Sequence, residues 1–174
     1  MTQTLDAVDL DTARDLEGRR LELWARRVLI LLLAVVPVLA LFNVFGQSAT
    51  EAKASSPVAT LTVRSPTQAR GGLLYEVRFT IQAKQDIKQA TLALGGGWAN
   101  GLTINTLEPS PSQETSHHGE LSFQLGPMSA GDTFVLHMAF QVNPTTVGTR
   151  KQQVALLDGT TPLVALTRDL TVYP

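Results

Sequence analysis

LLYEVRFTIQA, residues 73–83, puts Leu73, Tyr75, Val77, Phe79, Ile81 and Ala83 on one face of an extended chain. The other face carries Leu74, Glu76, Arg78, Thr80 and Gln82. Successive side chains of a strand point to opposite sides, so this stretch has one face to bury and one to leave wet. That is the pattern of an antiparallel sheet covering a core on one side only. The same period of two recurs on both sides. Upstream, Val58–Arg64 forms a strand. Downstream, Gln89–Leu94 turns Ala90, Leu92 and Leu94 inward, and Leu102–Leu107 follows a Gly95-Gly96-Gly97-Trp98 turn. Glu120–Leu125 buries Leu121, Phe123 and Leu125, and Thr133–Val142 buries Phe134, Leu136, Met138, Phe140 and Val142. Arg150–Leu157 and Leu163–Tyr173 close the set around Asp158-Gly159, a hairpin pair.

Seven or eight short strands with no helical stripe between them predict an immunoglobulin-like antiparallel β-sandwich over residues 58–174. A small closed barrel is the alternative.

Leu125-Gly126-Pro127-Met128-Ser129-Ala130-Gly131-Asp132, followed by the alternating Thr133–Val142, resembles a pattern of bacterial surface immunoglobulin-like repeats of the CARDB and DUF11 type. In those repeats a leucine, a small loop and Gly-Asp/Glu precede a long alternating strand. Leu73–Leu94 is similar to their long strand, short loop and second strand. The resemblance spans residues 58–142 and departs from the families in having a single copy and a distinct 108–119 loop. It implies a spacer, adhesion or interaction module without catalytic residues, and names no ligand.

The N-terminal part has a different character. Val28–Phe45, VLILLLAVVPVLALFNVF, is uncharged, and 14 of its 18 residues are Leu, Ile, Val or Phe. As a helix it spans about 27 Å, close to the hydrocarbon thickness of a bilayer. Its fourteen large apolar residues favour insertion by about 4–8 kcal/mol at most. Pro37 predicts a kink, and Asn43 lies near one end. Arg19, Arg20, Arg26 and Arg27 crowd the N-terminal flank, against Lys53 alone on the far side. The positive-inside rule then sets residues 1–27 in the cytoplasm and the C-terminal part outside, with Trp24, Arg26 and Arg27 at the membrane interface. Residues 46–57, small and polar, read as a spacer. In the tail, Asp15/Arg19 and Glu22/Arg26 are spaced for a solvated helix that Asp9 or Asp11 would cap. Leu5, Val8, Leu10 and Leu16 form a ragged apolar stripe. The competing interpretation is a cleaved secretory signal ending at Ala52-Lys53-Ala54. The apolar run is long for that, and the cleavage position lies far beyond it.

Charge and composition narrow the function. The net charge is −1, and residues 46–174 hold nine Lys/Arg and nine Asp/Glu. A neutral domain has no long-range attraction for nucleic acid. The chain has no cysteine, which removes disulfides, thiolate chemistry and cysteine metal sites, and fits a bacterial surface. Asn143 precedes Pro144, so it is no glycosylation acceptor.

His117-His118, with Glu114 and Glu120 nearby, has the residue types of a divalent-metal site. Neighbouring histidines on a strand face apart, and EPSPSQETSHHG (108–119) has loop composition, so a solvated loop is expected. His137 is expected on a wet face with no acidic partner assignable. Gly95-Gly96-Gly97 lacks the Gly-Lys-Ser/Thr ending of a phosphate loop and is expected to be a flexible connection. Trp98 beside it either anchors a contact or covers one end of the core. Asn100, Asn105 and Asn143 join Trp98, His117 and His118 as the candidate interaction surface. No Gly-x-Ser-x-Gly elbow or Ser-x-x-Lys motif lies outside the apolar segment, so no enzyme, catalytic residue, cofactor, metal or small-molecule substrate is expected.

The expectation is a single-pass plasma-membrane protein, with the bilayer and an envelope or membrane protein as partners. The alternatives are an accessory subunit of a multi-pass complex, or an envelope sensor signalling through residues 1–27.

Overall fold

A computed structural model of the chain describes residues 20–42 and 48–174. It divides into two compact units, Met1–Gly46 and Gln47–Pro174. In the first, helix α1 spans Arg20–Leu41 and runs through Pro37. Twenty-two residues make about 33 Å of helix. Every described side chain from Glu22 to Leu41 is exposed, including Leu29, Ile30, Leu31, Leu32 and Leu33. Its stretch Glu22–Leu41 is long and apolar enough to cross a membrane. The expected tail contacts of Leu5, Val8, Leu10, Leu16, Asp9, Asp11, Asp15 and Arg19, and the position of Asn43, fall outside the described residues.

The second unit is an immunoglobulin-like β-sandwich. Its first sheet holds β1 (Ala49–Ser55), β2 (Ala59–Pro66), β4 (Leu74–Ala83), β9 (Thr133–Val142) and β6 (Leu102–Glu108), in the order β1-β2-β4-β9-β6. Its second holds β3 (Gln68–Arg70), β11 (Thr161–Tyr173), β10 (Gly148–Asp158), β5 (Ile87–Leu94), β8 (Glu120–Met128) and β7 (Gln113–His117), in the order β3-β11-β10-β5-β8-β7. Pairing is antiparallel except for the short edge strand β3, which lies parallel to β11.

β4 carries the alternation that its sequence announces. Tyr75, Val77, Phe79, Ile81 and Ala83 are buried between the sheets. Leu73 departs from expectation: it precedes the strand and is 49 % exposed. Leu136, Met138, Phe140 and Val142 of β9 complete the facing rows, with Phe134 half-buried. The segment Leu125–Asp132 becomes the crossing from β8 in one sheet to β9 in the other. Its turn is fastened by the Ser129 N–H donating to the Asp132 carboxylate at 2.7 Å and the Gly131 N–H donating to the Ala83 carbonyl at 2.9 Å.

The strand count corrects the sequence expectation, since eleven strands stand among the described residues where seven or eight were expected. Residues 46–57, read as a spacer, contain β1, which pairs with β2 from Ala49↔Pro66 to Ser55↔Thr60. Its composition, ATEAKAS, hid this: as an edge strand it only half-buries Ala52 and Ala54, so no large apolar residue marks it. The 108–119 loop contains β7, whose five residues are all exposed. It forms a hairpin with β8 across His118-Gly119. Both turn residues have positive φ, 50° and 79°, the twist that a two-residue hairpin turn requires.

Gly95-Gly96-Gly97 also differs from expectation. Gly96–Ala99 forms a single helical turn, α2. A Cβ on Gly97 would run into the Lys151 carbonyl, so only glycine lets this turn lie against β10. That close approach drives Trp98 into the core, where it is fully buried against Phe79 and Phe140 at ring-centroid distances of 5.6 and 5.2 Å.

Candidate interaction surface

The burial of Trp98 removes it from the expected contact residues. A side chain packed between the sheets meets no partner, and the core-covering alternative is the one realised. The other expected residues are exposed but scattered. Asn100 caps α2, and its carbonyl accepts a hydrogen bond from the Arg150 guanidinium. Asn143 shapes the β9–β10 loop: its side-chain oxygen accepts from the Thr145 N–H at 3.1 Å and hydroxyl at 2.9 Å, while its own N–H donates to the Gly101 carbonyl at 3.0 Å. Asn100 and Asn143 therefore lie on adjoining turns. Asn105 occupies a bulge in β6, with its amide 3.4 Å from the Gln141 side-chain oxygen. His117 and His118 touch ring to ring on the β7–β8 hairpin of the other sheet, with His117 opposite Glu120. Among the described residues no group of three or more His, Asp or Glu is placed to hold a metal ion. Trp24, Arg26 and Arg27 are exposed on α1.

The register of the first sheet assembles a different set. Glu51 lies opposite Arg64, Arg64 opposite Arg78, Arg78 opposite His137, and His137 opposite Glu108. One rung thus crosses all five strands with an ionisable side chain on each, every one exposed on the wet face. Glu76 stands diagonally beside His137 and Arg78. Two shallow depressions flank the row and share Glu76 and His137. One, of about 280 Å³, is bounded by Arg64 and Arg78, the other, of about 400 Å³, by Thr106 and Glu108. Among the described residues no ion pair joins the members of this row. Two arginines directly opposite each other repel, and the neighbouring Glu51 and Glu76 form no ion pair with them. Sequence reasoning placed His137 on a wet face but could not supply its neighbours. Glu76 and Arg78 were visible as the polar face of LLYEVRFTIQA. Arg64 and Glu108 join them only through the strand order.

A second polar group is buried inside. Arg168, Gln152 and Tyr75 face each other between the sheets, with Gln152 opposite Arg168 across β10–β11. The Arg168 guanidinium donates to the carbonyls of Ser65 (2.6 Å) and Pro66 (3.1 Å) and to the Thr50 hydroxyl (3.3 Å), tying β11 to β1 and β2. Its Nε and Nη1 find no partner, nor does Gln152 Oε1. Burial lowers the Arg168 pKa, with the nearby Tyr75 opposing. Burial also pushes the Tyr75 phenol up to about 12, against smaller opposing effects of the Gln152 amide and of Arg168 and Arg150. The geometry of this group is that of a tie between the sheets.

No protein-family model matches the sequence, and no curated protein matches it. Solved structures similar to it include CaCohA2 from Clostridium acetobutylicum, at 14 % identity and TM-score 0.46, covering 68 % of this chain and 92 % of that one. The CARDB domain of a Pyrococcus furiosus protein, solved in complex with di-metal ions, is 15 % identical at TM-score 0.41, covering 71 % and 95 %. The human F-spondin reeler domain is 11 % identical at TM-score 0.46, covering 75 % and 99 %. None of these likenesses carries an activity, a ligand or a partner to this chain.

Proposed function

We propose that this protein is a non-enzymatic, membrane-anchored module whose β-sandwich is displayed outside the cytoplasm and binds a protein partner through the wet face of its first sheet. The observation that carries the proposal is the row Glu51–Arg64–Arg78–His137–Glu108, exposed and without an ion pair among the described residues. Arg64 and Arg78 stand side by side with like charge, and Glu51 and Glu76 beside them pair with neither. A partner presenting carboxylates between two glutamates' reach of this row would neutralise them and set its own register, which is how charge arrays contribute specificity and association rate.

For the anchor, α1 offers apolar side chains all round, as lipid demands, and Arg26 and Arg27 stand at its N-terminal part. That supports a cytoplasmic tail of residues 1–27 and a membrane segment beginning at Val28. The position of β1 also favours a retained anchor: cleavage after Ala54 would strip nearly all of β1 from the sheet and bare the long edge of β2.

The test is capture from envelope membranes in mild detergent, using the full chain with a photo-crosslinker at position 137. A partner band lost on Arg64→Glu/Arg78→Glu and kept on Lys84→Glu supports the surface. A band captured equally by all three rejects it.

A further inference from the structure

Among the described residues of the sandwich, the exposed large hydrophobic side chains are Leu73 (49 %), Leu74 (55 %), Val147 (59 %) and Tyr173 (47 %). They belong to distant parts of the chain but to one end of the domain. The Gly71 N–H donates to the Tyr173 carbonyl at 2.9 Å, and the Val142 N–H to the Leu73 carbonyl at 3.0 Å. The pairing of Gly148 with Val172 sets Val147 beside Tyr173. The opposite end is polar and internally satisfied: Lys84 Nζ donates to the Ser56 carbonyl at 2.9 Å, and the Asp86 and Asp158 carboxylates accept N–H groups of Ala130 and Gln89, each at 2.8 Å.

The apolar end has a sign as well. Segments 66–74, 142–150 and 170–174 contain Arg70 and Arg150 and no acidic residue; Glu76, two residues beyond Leu74, is the first carboxylate along β4. This is also the end at which β1 starts: Ala49 pairs with Pro66, two residues beyond the Arg64↔Arg78 pair of β2 and β4, and borders one depression with Glu76, two residues from Leu74. Residues 42–48 are the whole connection from α1 to β1. Fully extended they reach about 25 Å.

We propose that this end of the sandwich, with Leu73, Leu74, Val147 and Tyr173, rests in the headgroup layer of the bilayer that holds α1. The proposal rests on the anchor described above. Three features specify lipid as the occupant. The tether is short and enters at this end. The side chains are apolar with an aromatic among them, as at membrane interfaces. The exposed cation beside them is Arg70, suited to lipid phosphates and anionic headgroups, while the half-buried Arg150 holds the Asn100 carbonyl.

The cysteine-free chain makes the test direct. Single cysteines at Leu32, Leu73, Val147 and Lys84 are labelled with an environment-sensitive dye. The full chain is reconstituted in phosphatidylcholine/phosphatidylglycerol vesicles containing a lipid with a shallow quencher, and each variant's thermal transition is checked against the parent. The expected result is strong quenching at 32, 73 and 147, and several-fold weaker quenching at 84. Quenching at 32 with 73 and 147 no different from 84 overturns the lipid contact and leaves the anchor intact. Dyes at 73 and 147 that are hidden from aqueous iodide yet beyond the lipid quencher also overturn it, and assign that end to a protein or a second copy. An unquenched dye at 32 refutes the anchor, and the lipid contact with it.

Discussion

Trp98→Ala separates a core residue from a contact residue. The indole is fully buried between Phe79 and Phe140. A buried tryptophan removes roughly 150–250 Å² from water, which at about 25 cal/mol per Å² is about 4–6 kcal/mol. Reference to an extended unfolded chain overstates this by roughly 10–40 %. Truncation also releases the Trp98 N–H, which is buried without a partner, and so recovers about 1 kcal/mol or more. The net loss is about 3 kcal/mol, at the lower end of the roughly 3–5 kcal/mol of large aromatic truncations. For a domain of this size about 4 °C accompanies each kcal/mol, so the melting temperature falls by roughly 12 °C. The assay is thermal unfolding of the full chain in detergent, followed by near-UV circular dichroism in a Trp24→Phe background. In that background Trp98 is the sole tryptophan, and its emission should be blue-shifted and shielded from iodide. A loss under about 1 kcal/mol, or free quenching by iodide, refutes the buried position and returns Trp98 to the surface.

Tyr75 predicts an alkaline weakness. Its phenol is held protonated in the fold to about pH 12 and ionises near 10 when unfolded, so the stabilisation is complete below pH 10 and is lost as pH rises from 10 through 12. Two units correspond to about 2–3 kcal/mol. Urea midpoints measured at pH 9 and 11.5 should show about 2 kcal/mol of this drop in the parent and lack it in Tyr75→Phe. Within α2, Gly97→Ala should destabilise by about 2 kcal/mol or more, because its Cβ meets the Lys151 backbone. Gly96→Ala, with nothing nearer than 3.7 Å, should be neutral or stabilising by up to about 1 kcal/mol, so equal midpoints in denaturant would contradict the packing of this turn. Val35→Arg, near the middle of the apolar helix, should cost about 3 kcal/mol of insertion and release a substantial fraction of the chain on alkaline extraction. Unchanged retention would argue against a spanning helix.

The fold was legible wherever burial was one-sided. β4 and β9 each bury a row of large side chains on one face only, and their period of two survives in the sequence. β1 and β7 left no such trace. An edge strand has one neighbour, and these two are built from Ala, Thr, Ser and polar residues whose strand geometry comes from pairing. Trp98 was ambiguous because a tryptophan after three glycines fits both a contact and a lid. The approach of α2 to β10 chooses between them, and that is a fact of packing. The charged row needed the order β1-β2-β4-β9-β6, which no local pattern encodes. Arg168 was within reach. In Val164, Leu166, Arg168, Leu170 and Val172 it shares the inward parity of its neighbours, so the alternation itself marks a guanidinium inside.

The guanidinium tie has a consequence for assembly in time. Arg168 and Thr50 are separated by 118 positions, so the fastening that holds the first strand is supplied by the last. Contacts so distant along the chain close late, after the loop entropy between them has been overcome. Until synthesis passes residue 168, β1 can pair with β2 but lacks its bolt, and the rim of the sheet stays a template for other nascent chains. Messages truncated within β11 should therefore yield sticky, short-lived products even though nearly all of the hydrophobic interior has already been made.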